Sequence, residues 1–257
     1  MNNFENFNAL HQQADPLLVA NVWSGQSAKV MEKIKVQAVA TSSSAVAATL
    51  GYADGEVMSF EEYFFVIKRI KTSTHLPVSV DLETGYGKSV KEIVANIKRL
   101  HEIGVVGINI EDSTITNGIR EIVDAESFGE KLREISLALN VQYIDMFINV
   151  RCDAYLLGLP EARKEGIRRI KLYELHGIHG VFLPCITDIE DIKASVKSTP
   201  LPLNVMCMPN LPDFEALKSA GVKRISMGNF LNQHIYNGME KKMQQILSSG
   251  SFSGLFN

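Results

Sequence analysis

Four carboxylates and one guanidinium carry the chemical interest of this chain. Ser79, Asp81 and Glu83 alternate along one apolar run, Asn109 and Glu111 along a second, and Asn149, Arg151 and Asp153 along a third. In an extended strand, residues two apart share a face. Each run therefore has a polar row and an apolar row, the latter being Val78, Val80 and Leu82, then Ile108 and Ile110, then Ile148, Val150 and Cys152. A fourth run ends in Thr41-Ser42-Ser43-Ser44, and the segment behind it carries Asp54. Where the polar rows converge, Asp81, Glu83, Glu111 and Asp54 make a crowded set of oxygen donors beside Arg151. Crowded carboxylates in a partly enclosed mouth are unfavourable unless protons or a cation compensate them. No His or Cys stands at metal-ligand spacing, so the expected ion is Mg2+ or Mn2+, held by few direct carboxylates and several waters. The competing arrangement is a salt bridge from Asp81 or Glu83 to Arg151.

Such rows need parallel strands to aim them, and the chain supplies eight candidates: Leu17–Trp23, Ala38–Ser43, Pro77–Glu83, Gly104–Asp112, Met146–Asp153, Gly180–Thr187, Pro202–Met208 and Arg224–Gly228. Between and after them lie amphipathic stretches at 26–35, 59–73, 88–103, 124–139, 160–176, 188–198, 212–220 and 229–247. Ser24, Ser59 and Asp188 stand where helix N-caps belong, and Gly104, Gly177 and Gly221 where helices hand over to strands. Strict strand–helix alternation over 257 residues predicts a (β/α)8 TIM-type barrel forming one domain, residues 1–257. The rival is a doubly wound open sheet, whose first turn should be glycine-rich. The corresponding stretch here, NVWSGQSA, has one glycine, and no GxGxxG or Walker A motif occurs. In a barrel the chemistry sits at the C-terminal strand ends, where the polar rows finish.

The remaining composition narrows the function classes. With 26 basic and 29 acidic residues, the net charge of −3 offers no basic excess for nucleic acid. No apolar run approaches the roughly 20 residues that span a bilayer. The N-terminus lacks a basic stretch followed by an apolar one, so no signal peptide is expected. Three cysteines without CxxC spacing suit a reducing compartment. The expected location is cytoplasmic, without nucleic-acid or membrane partners. No strand ends in a lysine fit for Schiff-base chemistry, and the six histidines are expected as surface or helix-terminal residues away from the mouth. Cys152 is expected to face the helices, and Cys185 and Cys207 to be small core residues.

The runs VDLETGYG (80–87), GINIEDS (107–113) and NVRCDAY (149–155) resemble the isocitrate lyase/phosphoenolpyruvate mutase superfamily. NVWSGQSAKVME, TSSSAVAATLGYADGE and LPLNVMCMPNLPDFEALKSAGVKRIS extend the likeness over nearly the whole chain, in order. It is similar above all to the short lyase/mutase-like members, of the carboxyphosphonoenolpyruvate phosphonomutase-like kind. The resemblance implies a barrel whose eighth helix is exchanged with a neighbouring subunit in homodimers or homotetramers. It implies Mg2+ bound directly by Asp81, with Glu83, Glu111 and Asp54 acting mostly through waters. A small 2-oxo or enolpyruvyl carboxylate would rest on Ser42, Ser43 and Ser44, contact Arg151 and Asn204, and lie against Trp23. Metal and Arg151 would then stabilise an enolate as a C–C or C–P bond breaks.

One stretch departs from the pattern. The lyases carry a Lys/Arg-Cys-Gly motif after the fourth strand, its cysteine serving as general acid. Residues 113–121 here read Ser-Thr-Ile-Thr-Asn-Gly-Ile-Arg-Glu, without cysteine or lysine. Asn117 matches the asparagine of the mutase branch, which makes it a catalytic candidate beside Arg151 and Glu111. A standard isocitrate or methylisocitrate lyase is therefore not expected. The alternative to a lyase/mutase enzyme is a 2-oxo-acid-binding barrel with little or no turnover.

Overall fold

Helix starts in this chain are written in serine. In the computed structural model, which describes residues 2–256, Ser24, Ser59 and Ser89 each close a capping box with the residue three positions on. Such boxes satisfy two of the orphan N–H groups of a first turn. Asp188 caps its helix by accepting from the N–H groups of Glu190 and Asp191.

The elements in chain order are α1 (Asn3–Leu10), β1 (Leu17–Val22), α2 (Gly25–Lys33), β2 (Ala38–Thr41), α3 (Ser43–Leu50), α4 (Phe60–Lys71), β3 (Val78–Asp81), α5 (Val90–Glu102), β4 (Gly107–Glu111), β5 (Ser113–Thr116), β6 (Ile119–Ile122), α6 (Ala125–Val141), β7 (Phe147–Arg151), α7 (Ala162–Tyr173), β8 (Gly180–Phe182), α8 (Ile189–Ser198), β9 (Leu203–Met206), α9 (Phe214–Ser219), β10 (Arg224–Ser226) and α10 (Phe230–Ser249). All except β5 and β6 among the strands close a parallel barrel in the order β1-β10-β9-β8-β7-β4-β3-β2. The predicted barrel is therefore the fold, and the open sheet is excluded.

The register aligns Asp81 with Asn109, Asn109 with Asn149, and Glu111 with Arg151. The apolar rows pack outward: Val78, Val80, Ile108, Ile110, Ile148 and Val150 share one core with Ile93, Ile97, Leu100, Phe128 and Leu132 of the helices. The opposite rows meet on the barrel axis, where Asn149 donates to both Asn109 Oδ1 (2.9 Å) and Asn204 Oδ1 (3.1 Å).

Three elements lie outside the sequence expectation. Helix α1 plugs the N-terminal end of the barrel, its Phe7 buried with Leu17, Val19, Ala38, Ala40, Val106 and Phe147. Burial of a side chain of that size contributes about 1.5–3 kcal/mol. His11, expected as a surface or helix-terminal residue, ends α1 as its C-cap but is buried: its ring stacks on Phe147 at 4.2 Å and its Nδ1 bonds the Phe7 carbonyl at 2.9 Å. Second, α3 begins directly after β2, where a loop was expected. Third, β5 and β6 form an antiparallel hairpin within the stretch that departs from the lyase pattern. The barrel strands also stop sooner than predicted. β3 ends at Asp81 because the chain enters a tight turn in which Glu83 has φ 50° and Gly85 N bonds Leu82 O. Among the described residues no helix is long and apolar enough to cross a membrane.

Candidate active site

At the C-terminal end of the barrel opens a cavity of about 250 Å³. Asp81 and Asp54 line it, as do Arg151 and Arg120, the Ser42–Ser44 turn, and a floor of Asn21, Ser226 and Arg224.

Asp81 is fixed through its backbone. Its N–H donates to Thr41 Oγ1 (3.0 Å), and its carbonyl accepts from the buried Tyr63 hydroxyl (2.9 Å). The carboxylate itself accepts from Ser43 Oγ at 3.0 Å. Ser42 caps α3 by accepting from Ala45 N–H at 3.3 Å, and the Ser43 N–H donates to Asp81 Oδ2 at 3.4 Å, so the N-terminal turn of this helix lies in the lining. Asn229 braces the turn by donating to Ser44 Oγ (3.1 Å). Burial lifts the Asp54 carboxyl above its ordinary range, and the neighbouring Asp81 charge lifts it further.

The same lining carries Arg151 and Arg120. Arg151 donates to Asp153 Oδ1 (2.6 Å) and pairs with Glu111 Oε2 (2.8 Å). Burial alone would lower its guanidinium, but Glu111, Asp153 and Asp81 outweigh it and the net shift is upward. Arg120, on β6, points back into the site, where it pairs with Glu111 and reaches Ser113 Oγ (2.7 Å), Asp153 Oδ2 (3.2 Å) and Asp54 Oδ2 (3.9 Å). Burial lifts the Glu111 carboxyl above its ordinary range against the pull of Arg151 and Arg120.

The structure thus brings Asp54, Asp81, Ser42, Ser43, Ser44 and Arg151 into the lining of one cavity, with Glu111 paired to Arg151. Other candidates stand elsewhere. Glu83 is buried in the turn after β3, accepting from Tyr86 hydroxyl at 2.8 Å; burial and the nearby Asp81 and Asp54 lift it to about 8. Trp23 lies beyond the end of β1, where the Ser24 cap turns the chain away, and packs on the outer core. Asn204 is engaged inside the barrel with Asn149 and Ser226 Oγ. Asn117 sits exposed at the hairpin tip with φ 53°, followed by Gly118 at 78°; it shapes a turn and does not line the cavity. The competing salt bridge is also corrected: the ion-pair partners of Arg151 are Glu111 and Asp153, not Asp81 or Glu83. Among the described residues no three His, Cys, Asp or Glu side chains are grouped to hold a metal between them. Of the cysteines, Cys152 is buried in the outer core, Cys185 is half-buried and Cys207 is exposed, because β9 ends one residue before Cys207.

Arg120, Arg224 and Asn229 were not singled out from the sequence. A signal for Arg120 existed: Asn117-Gly118 between alternating residues marks a two-residue hairpin, which returns Arg120 opposite Ile115. The paired residue Ile115 packs on Gly55, tying the hairpin to the Asp54 segment.

A closed parallel barrel with carboxylates and arginines gathered at its C-terminal mouth is an α/β-barrel site of the kind used on small anionic ligands. The sequence matches the family model of phosphoenolpyruvate phosphomutase over residues 7–247, so the chain belongs to that family, within the isocitrate lyase/phosphoenolpyruvate mutase superfamily. It is 28% identical to the oxaloacetate decarboxylase of Ectopseudomonas mendocina over 216 residues, which covers 82% of this chain and 72% of that one. A crystal structure of a Burkholderia cenocepacia J2315 protein, proposed to be a phosphonomutase, superposes with TM-score 0.88 at 31% identity, over 94% of this chain and 99% of that one. The fold is shared by a phosphonopyruvate hydrolase solved with oxalate and Mg2+ (TM-score 0.85, 20% identity, 99% and 90% covered).

Proposed function

We propose that this chain is a Mg2+-dependent lyase or phosphonomutase-type enzyme that breaks a C–C or C–P bond of a small 2-oxo or enolpyruvyl carboxylate. The observation that carries this reading is the convergence of Asp81, Asp54, Arg151 and Arg120 in the lining of one cavity that also holds the first turn of α3. A ligand carboxylate suits the N-terminal turn of α3 with its serine hydroxyls, where the helix dipole favours negative charge. Arg151 suits the 2-oxo oxygen. Because Asp153 and Glu111 already hold its guanidinium, little reorganisation is needed when that oxygen becomes anionic as the bond breaks. Arg120 supplies a second fixed cation from the hairpin.

The donors fit a hard, hydrated ion. Mg2+ takes one or two carboxylates and keeps several waters, which agrees with the lack of a tight cluster of acids. Asp81 would hold the ion directly, with Asp54 acting through its waters and Glu83 and Glu111, which stand behind the lining, reached only through further waters, and Mn2+ would substitute. When bound, the ion would add positive charge beside the oxygen that Arg151 faces.

The hairpin gives the second reading its ground. It has no cysteine to serve as general acid, and its one inward cation is engaged with Glu111 and Asp153. A barrel that binds a 2-oxo acid with little turnover would have this character. We further infer that α10 packs against another copy of the chain in dimers or tetramers. Titration with Mg2+ and oxalate or pyruvate, followed by a product screen over oxaloacetate, phosphonopyruvate and 2-methylisocitrate, decides among these readings. Product supports the enzyme, and binding without product supports the second reading. No binding, together with an inert Asp81→Ala, removes the site assignment.

A further inference from the structure

Arg224 lies inside the barrel on β10, aligned with Leu17 and Asn204, and is only 1% exposed. Its one hydrogen bond is a long one, from Nη2 to Ser79 Oγ at 3.4 Å. Among the described residues, Nε and Nη1 meet no acceptor and no carboxylate lies within ion-pair distance. The contrast with the other inward or buried arginines is sharp. Arg151 has Glu111 and Asp153, and Arg169 has Asp112 and Glu165. One side of the Arg224 guanidinium rests 5.9 Å above the Phe7 ring, and the group also forms part of the cavity floor with Asn21 and Ser226. Burial pulls it down to about 10, which leaves it charged at neutral pH.

A guanidinium presents five N–H donors in a rigid fork, and burying that charge without a complement costs several kcal/mol. The chain supplies no complement for Nε and Nη1, and the residue borders the floor of the ligand cavity. We propose that Arg224 receives an anionic group at the cavity floor, the far carboxylate of a 2-oxo diacid whose 2-oxo end lies at Asp81, Arg151 and the first turn of α3. This rests on the reading of the cavity as a 2-oxo-acid site and adds the demand for a second negative end. The spacing suits a short diacid. Ser79, the partner of Arg224, lies two residues below Asp81 on β3, about 6.6 Å along the strand. A carboxylate meets the fork with two parallel N–H···O bonds.

The test compares ligands that differ only at the far end. Calorimetry on the whole protein with Mg2+ should show oxaloacetate binding about tenfold or more tighter than 2-oxobutanoate, which carries a methyl group in place of the far carboxylate. Arg224→Met should erase that ratio, and Arg224→Lys should retain part of it. A wild-type ratio near one, or a ratio that survives in Arg224→Met, overturns the assignment. The wild-type comparison decides even where Arg224→Met does not fold. Where oxalate and pyruvate bind but the ratio is one, only Arg224 loses its role. Where neither binds, the 2-oxo-acid reading falls and this inference falls with it.

Discussion

Arg120 and Arg151 hold the same carboxylate, Glu111, from two different elements: Arg151 rises from barrel strand β7 and Arg120 returns from hairpin strand β6. The hairpin is thereby latched to the barrel by charge, beside the packing of Ile115 on Gly55. Arg120→Ala removes the latch and one of the two cations that offset Glu111. A charge-assisted bond of this kind is worth about 1.5–3 kcal/mol, so amide exchange across residues 113–122 should speed by tenfold or more. Affinity for oxalate with Mg2+ should fall in parallel. Unchanged exchange in Arg120→Ala would show that the hairpin is held by Ile115 on Gly55 instead.

Turn chemistry accounts for Asn117 and Gly118. Both have positive φ, the backbone that a two-residue hairpin with a right-handed strand twist requires. Asn117→Gly keeps that turn and should leave ligand affinity within twofold of wild type. Gly118→Val places a β-branched residue in the left-handed region and should cost about 1–2 kcal/mol, read as loss of hairpin protection in hydrogen exchange. A large loss of affinity or turnover in Asn117→Gly would return Asn117 to the catalytic set.

Asp81 separates a structural backbone from a functional side chain. Thr41 and Tyr63 hold its N–H and carbonyl, so Asp81→Asn retains both bonds and an amide that Ser43 can still reach. Thermal stability should shift by only a few degrees, consistent with a change of about 1 kcal/mol. Mg2+-dependent binding of oxalate should fall by a hundredfold or more, because a neutral amide is a far poorer ligand for a hard cation. Equal affinity in the two proteins would detach the metal from Asp81.

The polar and apolar rows of β3, β4 and β7 were legible because a strand has period two and the barrel buries both faces. Asp112 illustrates the rule: one step beyond Glu111, it turns outward to Arg169 Nη1 (3.1 Å) and Tyr173 hydroxyl (2.8 Å). What alternation cannot convey is where a strand stops. Glu83 and Trp23 both fall just past a strand end and leave the row. Nor does it convey long-range return. Arg224 and His11 lie far apart in sequence, and both are placed on the barrel axis by closure and by the α1 plug. Arg120 was hidden for a third reason: only the fold-back of the hairpin, which pairs it with Ile115, brings it to the site.

The plug also predicts an acid sensitivity. Burial drives His11 down to about 3 from an ordinary value of 6.5, and the nearby Arg224 charge adds to the shift. Between these values the unfolded chain binds a proton that the folded chain refuses, so unfolding is favoured as pH falls from 6.5 towards 3. At pH 5 the penalty from this one residue is about 2 kcal/mol. Urea titrations at pH 7.5 and pH 5 should show a loss of that order. His11→Asn, whose amide can still donate to the Phe7 carbonyl, should flatten the dependence over that interval. An identical pH dependence in His11→Asn would mean that other groups control acid stability.

Helix α10 makes a prediction about assembly from its own spacing. Ile235, Met239, Met243 and Leu247 recur every four residues and are 49%, 58%, 48% and 76% exposed. Residues four apart drift only about 40° around a helix, so the four form one apolar stripe along the 20-residue element, of which only Asn232 is buried. An isolated subunit gains nothing from such a stripe. Beside α9 the barrel offers a groove of about 660 Å³ lined by Leu18, Met208, Leu211, Phe214 and Met227, a surface of matching chemistry that the chain's own α10 leaves open. Two copies related by symmetry can each seat α10 in the groove of the other, which buries both surfaces twice. Sedimentation equilibrium should therefore find dimers or tetramers at micromolar concentration. Met239→Glu with Met243→Glu should drive the mass towards the 28.5 kDa monomer and lower the unfolding temperature, since subunit and stripe are stabilised together. A wild-type monomer at high concentration would leave the stripe without this role.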